Sequence, residues 1–410
     1  MPDVPPSLRP VFEDLVAARE TVRAVARHTP LIRSKTFSEM TGSDVFLKLE
    51  NLQRTGSFKL RGAYYRISRL TPGERTRGVV CASAGNHAQG VAFSAAAHGI
   101  ASTVFMPVFA PPAKIQATRA YGAEVRLVGR TYDEAYEAAR AFCEEHGKTY
   151  IPAFDDEDII AGQGTLGLEL YDDLPDVDVV LCPVGGGGLI GGVAVALKHL
   201  RPSVRIVGVE AEGAPALKRS LEAGHLVPAT SLSTIADGIA VKTPGRLTFA
   251  LAQAYVDEVV TVPDSDTAYA LYLLLQRAKL LVEPAGAVGL AALLAGAVTC
   301  PGRRVAVILS GGNVDLGLLT QIIERGLLHT GLRARIAVDM PDKPGSLQLL
   351  LDILAGLQAN IESVEHDRFT TAVPIGHVRI TITFRTPGRE HIDAIRQALA
   401  ERHLTCQVLT

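Results

Sequence analysis

The sequence contains no tryptophan, and Phe, Trp and Tyr together make up only 5% of its 410 residues. Cysteine is scarce too: Cys81, Cys143, Cys182, Cys300 and Cys406 stand far apart, with no C-x-x-C spacing. An odd, scattered set of this kind speaks against a zinc ribbon, a thioredoxin-type pair and a disulfide framework. An excess of one charge is also missing. Lys and Arg number 41 against 43 Asp and Glu, a formal net charge of −2, so no bulk field draws nucleic acid or an anionic membrane. The opening residues MPDVPPSLRP lack a basic segment followed by an apolar run. No signal peptide is therefore expected, and the chain reads as cytoplasmic. One uncharged run, 179–197, approaches the length of a membrane span. Pro183 and the glycines at 185–188, 191 and 192 interrupt it, so it reads as a buried strand, a glycine loop and a helix.

What is present is apolar residue, 47% of the chain, over a length that suits two or three domains. Strand-like runs at 79–82, 101–106, 125–128, 177–184, 204–209 and 305–309 alternate with helical patterns such as 132–143 and 266–280. That alternation predicts an α/β fold with buried, mostly parallel sheets, whose strands end at loops carrying the chemistry. The last eighty or so residues differ. Strands at 335–340, 360–366, 377–385 and 406–409 and helices at 346–357 and 390–401 give the order β-α-β-β-α-β, a ferredoxin-like domain. Strict alternation of Val378, Ile380, Ile382 and Phe384 with Arg379, Thr381, Thr383 and Arg385 predicts a half-exposed antiparallel strand. The polar stretch 324–335 reads as a linker, which sets domains of 1–327 and 328–410.

Four segments carry candidate chemistry. In Thr55-Gly56-Ser57-Phe58-Lys59-Leu60-Arg61-Gly62-Ala63, Ser57 is expected to cap a helix and place Lys59 in its first turn. Most lysines are merely solvated, but a helix N-terminus disfavours a cation and helps lower an amine pKa, as a Schiff-base lysine needs. Ser83-Ala84-Gly85-Asn86-His87-Ala88-Gln89-Gly90 follows a strand, where backbone N–H groups with Ser83 and Asn86 suit a carboxylate; a plain helix cap is the alternative. Gly185-Gly186-Gly187-Gly188-Leu189 joins a strand to a helix, a position for a phosphate, or else a flexible loop. It also fits G-x-G-x-x-G through Gly186, Gly188 and Gly191, with Glu210 ending the next strand. A nicotinamide-dependent oxidoreductase therefore competes at this point. Ser310-Gly311-Gly312-Asn313-Val314-Asp315 follows a last strand, with Ser310 either a cap or a partner for a ring nitrogen.

Taken together these segments resemble the fold type II (tryptophan synthase β-like) pyridoxal-phosphate enzymes, and within them the threonine dehydratases. Glu283-Pro284-Ala285-Gly286-Ala287, Asp155-Asp156 with Gly162-Gln163-Gly164-Thr165, and the run 236–242 are similar to the same family. The resemblance covers about residues 15–325 and implies a two-subdomain body, the smaller part inserted at about 55–155. The C-terminal segment resembles an ACT domain, with Asp342-Lys343-Pro344-Gly345-Ser346 as its first turn. Residue roles follow from the resemblance. Lys59 links to pyridoxal 5'-phosphate as a Schiff base and takes the substrate α-proton, and Phe58 packs beside the cofactor. Asn86 bonds the cofactor's 3-oxygen, Gly185, Gly186, Gly187, Gly188 and Leu189 hold its phosphate, and Ser310 bonds its ring nitrogen. Ser83, Asn86 and His87 gather the substrate carboxylate. A neutral ring partner suits β-elimination over prolonged carbanion storage.

The related serine racemases carry a second serine where this chain has Ala84, and alanine cannot transfer a proton. Their metal loop is matched at Glu210 and the Ala214 carbonyl, but Ala216 replaces a carboxylate, which leaves a monovalent ion, a divalent ion or none equally open. The resemblance implies deamination of threonine and serine, for isoleucine synthesis or threonine breakdown. It also implies a homotetramer and an isoleucine or valine effector near Asp342, Lys343, Gly345 and Ser346. A non-catalytic amino-acid sensor would keep the second domain without needing the lysine motif.

Overall fold

A computed structural model describes residues 8–409 and divides into two compact units, Met1–Asp315 and Leu316–Thr410. The first unit holds two sheets. The larger has six strands in the order Leu31–Arg33, Asp44–Lys48, Arg304–Ile308, Val179–Pro183, Arg205–Ala211 and Glu258–Val262. All are parallel except the edge strand Leu31–Arg33. The smaller sheet is wholly parallel, in the order Glu124–Leu127, Ser102–Met106, Val79–Ala82 and Thr149–Tyr150. In the chain it lies between Asp44–Lys48 and Val179–Pro183, so one parallel sheet is inserted into the connection of the other.

The strands Val79–Ala82, Ser102–Met106 and Val179–Pro183 are buried at every position, as parallel strands covered by helices on both faces must be. Val180 and Cys182 join Leu189, Ile190 and Val193 of the helix Gly188–Leu200 in one core, and Cys81 and Val104 join Ala88 and Val91 in another. Small residues bring the covering helices close. A Cβ on Gly192 would come within 2.5 Å of the Ile160 carbonyl on the helix Glu157–Asp173, which explains why glycine stands there. The uncharged run 179–197 is a strand, a glycine loop and a helix, and no helix among the described residues is long and apolar enough to cross a membrane.

The second unit is a four-stranded antiparallel sheet in the order Asn360–Asp367, His377–Arg385, Arg333–Pro341 and Thr405–Leu409. Helices Ser346–Gly356 and Arg389–Glu401 complete the ferredoxin-like β-α-β-β-α-β order. Val378, Ile380, Ile382 and Phe384 face inward onto Leu350, Leu354, Ile395 and Leu399, as the alternation predicts. The stretch 324–335 is not a loose linker. It completes a helix, Leu316–His329, and starts the strand at Arg333, and the division between the units falls at 315/316 instead. Its charges are the solvated side of a helix that buries Ile322 and Gly326, and Glu324 pairs with Arg333.

Candidate active site

The site is built on strand ends. Lys59 is the first residue of the helix Lys59–Ser68. Ser57 does not cap that helix: Phe58 occupies the cap position, no side chain caps it, and the Ser57 Oγ is buried without a partner. The backbone does the holding. Ser57 forms an antiparallel bridge with Gly311, and the Phe58 N–H donates to the Ser310 carbonyl at 3.1 Å. These two contacts dock the lysine's approach segment onto the strand end that carries Ser310, and they bring residues far apart in the chain into one wall.

The Lys59 Nζ donates to the Ala153 carbonyl at 2.8 Å. Burial lowers its pKa from 10.5 to about 8, against the opposing pull of the Glu283 carboxylate. Desolvation disfavours the ammonium, so a neutral, nucleophilic amine becomes accessible near neutral pH. Lys59 lines a cavity of about 800 Å3 together with Phe58, Ser83 to His87, Gly185 to Leu189, Glu283 and Ser310.

In the second segment neither Ser83 nor Asn86 caps by its side chain: Gly85 is the cap residue of the helix Asn86–Ala97, and the Ser83 Oγ accepts from the Gly85 N–H at 3.2 Å. The Asn86 carboxamide is oriented from both ends. Its Nδ2 donates to Glu283 Oε1 at 2.6 Å, and its Oδ1 accepts from Asn313 Nδ2 at 2.7 Å. The His87 ring is buried with Nε2 at 2.9 Å from the Ile151 carbonyl, which only accepts, so Nε2 carries the proton. Burial, with Lys59 adding to it, pushes the imidazole pKa down to about 3 and keeps it neutral. The ring donor is thus spent on Ile151, and what His87 offers an anion is its backbone amide in the first turn.

The glycine loop is not flexible. A Cβ on Gly186 would meet the Phe154 ring at 2.2 Å, one on Gly188 would meet Gln163 Oε1 at 2.8 Å, and Gly187 sits at φ +89°. The loop is packed against Phe154, Gln163 and Thr248, and among the described residues the amides of Gly185 to Leu189 have no protein acceptor. A row of free N–H groups at the start of the helix Gly188–Leu200 is a donor set that suits a phosphate.

Glu283 was legible only as part of a motif, with no role attached. It is buried, and its carboxyl is pushed up to about 7, first by burial and then by Asp237. Glu210 stands near the end of its strand, buried and bonded to backbone. Its two oxygens each accept an amide, from Leu217 and Lys218 at 2.8 Å, at the start of the helix Ala216–Ala223. A buried carboxylate committed to a helix N-terminus is turned away from a ribose. Among the described residues no cluster of three or more His, Cys, Asp or Glu is placed to hold a metal, and Glu210 has no second carboxylate beside it in such a group.

The residues present fit pyridoxal 5'-phosphate. The free amides of the glycine loop suit its phosphate, the desolvated Lys59 amine its aldehyde, and the buried Ser310 hydroxyl its ring nitrogen. Comparisons with known proteins agree. Residues 22–311 match the family described as "Pyridoxal-phosphate dependent enzyme". The chain is 48% identical over 388 residues to the L-threonine ammonia-lyase of Thermotoga maritima, covering 95% of this chain and 96% of that protein. The processed form of threonine deaminase isoform 2 from Solanum lycopersicum is 37% identical, with a TM-score of 0.71 over 79% of this chain and 98% of that one. Maize serine racemase is 34% identical, with a TM-score of 0.73 over 78% and 98%. The matched family spans both parallel sheets and every segment that lines the cavity, and the chain belongs to the pyridoxal-phosphate dependent enzymes.

Proposed function

We propose that the chain is a threonine ammonia-lyase that also accepts serine, converting threonine to 2-oxobutanoate and serine to pyruvate with release of ammonia. The observation that carries the reading is the convergence of the Lys59 amine, the free amides of Gly185 to Leu189 and Ser310 on one cavity. The cofactor, when bound, supplies an electron-withdrawing ring that acidifies the substrate Cα–H. The protein's own groups do the rest. The amides at the start of the helix Asn86–Ala97, with Ser83 and Asn86, hold the substrate carboxylate. Lys59 takes the α-proton, its pKa of about 8 keeping a usable share of free base at neutral pH. Asn86, aligned by Glu283 and Asn313, holds the cofactor's 3-oxygen. Ser310 gives the ring nitrogen a neutral partner, which favours loss of the β-hydroxyl. The released enamine hydrolyses in water to the 2-oxo acid and ammonia. Ala84 offers no proton on the cavity wall, which favours elimination over racemisation.

The second unit serves, in this reading, as an ACT-like module that pairs with a second copy within a cytoplasmic homotetramer. Isoleucine or valine binds near the exposed turn of Asp342, Lys343, Gly345 and Ser346, where Gly345 at φ +91° starts the helix Ser346–Gly356. The enzyme then serves isoleucine synthesis under feedback, or threonine breakdown if no such response exists. Purified protein incubated with L-threonine and assayed for 2-oxo acid and ammonia tests the core of the reading. Equal rates of D-serine and pyruvate formation from L-serine would support a racemase instead.

A further inference from the structure

We propose that Thr248 and Asp155 are positioning residues for the cofactor phosphate: they aim the Gly187 amide into the cavity, although neither lines it. One chain of hydrogen bonds links the two residues to the loop. Asp155 lies in the segment that leaves the smaller sheet. Its carboxylate accepts the N–H groups of Arg246, Leu247 and Thr248 at 3.1, 3.0 and 3.3 Å and so caps the helix Arg246–Tyr255. A Cβ on Gly245 would stand 2.1 Å from Asp155 Oδ1, so the cap is tight. The capped helix places Thr248, which is fully buried, with its Oγ1 donating to the Gly186 carbonyl at 2.7 Å. The only other donor to that carbonyl among the described residues is the Gly245 N–H, at 3.5 Å.

The peptide between Gly186 and Gly187 is planar and trans, so its C=O and N–H point in opposite directions. Anchoring the Gly186 oxygen on Thr248 therefore turns the Gly187 N–H away from Thr248. A Cβ on Gly187 would lie 2.9 Å from the Thr248 Cβ, so the threonine fills the space directly behind this residue. The Gly187 amide has no protein acceptor among the described residues, and the side left for it is the cavity. Phe154, next to Asp155, packs against Gly186 and Gly188, and Ala153 accepts from Lys59. Three consecutive residues thus brace the phosphate loop, the capped helix and the lysine.

The inference rests on the reading of Gly185 to Leu189 as the phosphate site, and the test separates the two. Dissociation constants of pyridoxal 5'-phosphate and of pyridoxal, which lacks the phosphate, are measured on apoprotein by absorbance or fluorescence titration. The proteins are the wild type, T248V, T248S and D155N, each with its apoprotein melting temperature. Valine keeps the volume of threonine and leaves the Gly186 carbonyl without its strong donor. The expected result is an affinity for pyridoxal 5'-phosphate about tenfold weaker in T248V, as loss of one buried hydrogen bond implies, with pyridoxal binding unchanged and T248S near wild type. D155N, at an exposed position, should weaken only the phosphate-bearing ligand and supplies the same ratio if T248V fails to fold. Equal weakening of both ligands, or no weakening, overturns the positioning role. A wild type that does not distinguish the two ligands overturns the phosphate-site reading itself. Neither result depends on whether threonine is the substrate.

Discussion

Arg61 and Glu50 form a two-point ion pair in the interior, Nε to Oε2 and Nη2 to Oε1 both at 2.8 Å, with no solvent exposure on either side chain. Glu169 takes the other edge of the guanidinium at 2.7 and 2.9 Å, and Thr29 donates to Glu50 at 2.6 Å. Arg61 lies two residues after Lys59 on the same helix. The pair therefore fixes the rotation of the helix that presents the amine, and it does so by a fork that a lysine cannot reproduce.

Removing one partner of this pair leaves a buried charge uncompensated. Arg61→Met or Glu50→Gln should cost about 3–5 kcal/mol, read from denaturant unfolding of the apoprotein. A loss below about 1 kcal/mol would show that the cluster is not structural. Burial is the largest influence on Glu50 and raises its pKa, but Arg61, Thr29 and Lys48 together outweigh it and hold the carboxyl below 4.5. A depressed acid stabilises the fold above its unfolded pKa, and that contribution is lost as pH falls through the folded value. Glu50→Gln should accordingly flatten the fall of melting temperature below about pH 4.5.

Lys59→Ala should abolish the Schiff-base absorbance band and reduce turnover by orders of magnitude with the fold intact. Because the amine is held near 8 by burial, the rate at which apoprotein captures pyridoxal 5'-phosphate covalently should climb with pH up to about 8 and then level. A rate still climbing steeply toward 10 would mean that the lysine is not desolvated.

Ala84→Ser tests the absence of a proton donor at that position of the cavity wall. The variant should exchange the α-proton of L-serine with solvent faster than the wild type and should form D-serine. Wild-type protein that racemises serine as fast as it deaminates it contradicts the argument.

A chain ending at Asp315 lacks the whole second unit. It should retain deamination while losing part of the assembly and any response to isoleucine or valine. The response of the full chain is a coupling between two sites and should fall within about 5- to 150-fold. Indifference of the full chain to millimolar isoleucine and valine leaves the second unit an assembly role only.

The alternation of short apolar runs with helical spacing was enough to read the α/β body, and the period of two in Val378 to Arg385 was enough to read a half-buried strand, because both patterns live in consecutive residues. Motif segments were legible for the same reason: Lys59, Asn86, Gly185 and Ser310 each follow a local signal of strand, turn and helix. The sequence therefore determined the class of fold, and with the family resemblance it picked out the segments that line the cavity. What those segments do with their side chains was decided by partners far along the chain. Asn86 finds Glu283 across 197 positions, and the His87 ring is claimed by Ile151 across 64. Ser57 reads as a cap yet is displaced from that role by a bridge to Gly311, and Glu210 reads as a ligand yet receives the amides of Leu217 and Lys218. The charged stretch 324–335 reads as a linker because polarity is local, but it forms the end of a helix that buries Ile322 and Gly326. Most hydrogen-bonding groups in a buried site find a partner, and only the tertiary structure settles which distant group that partner is.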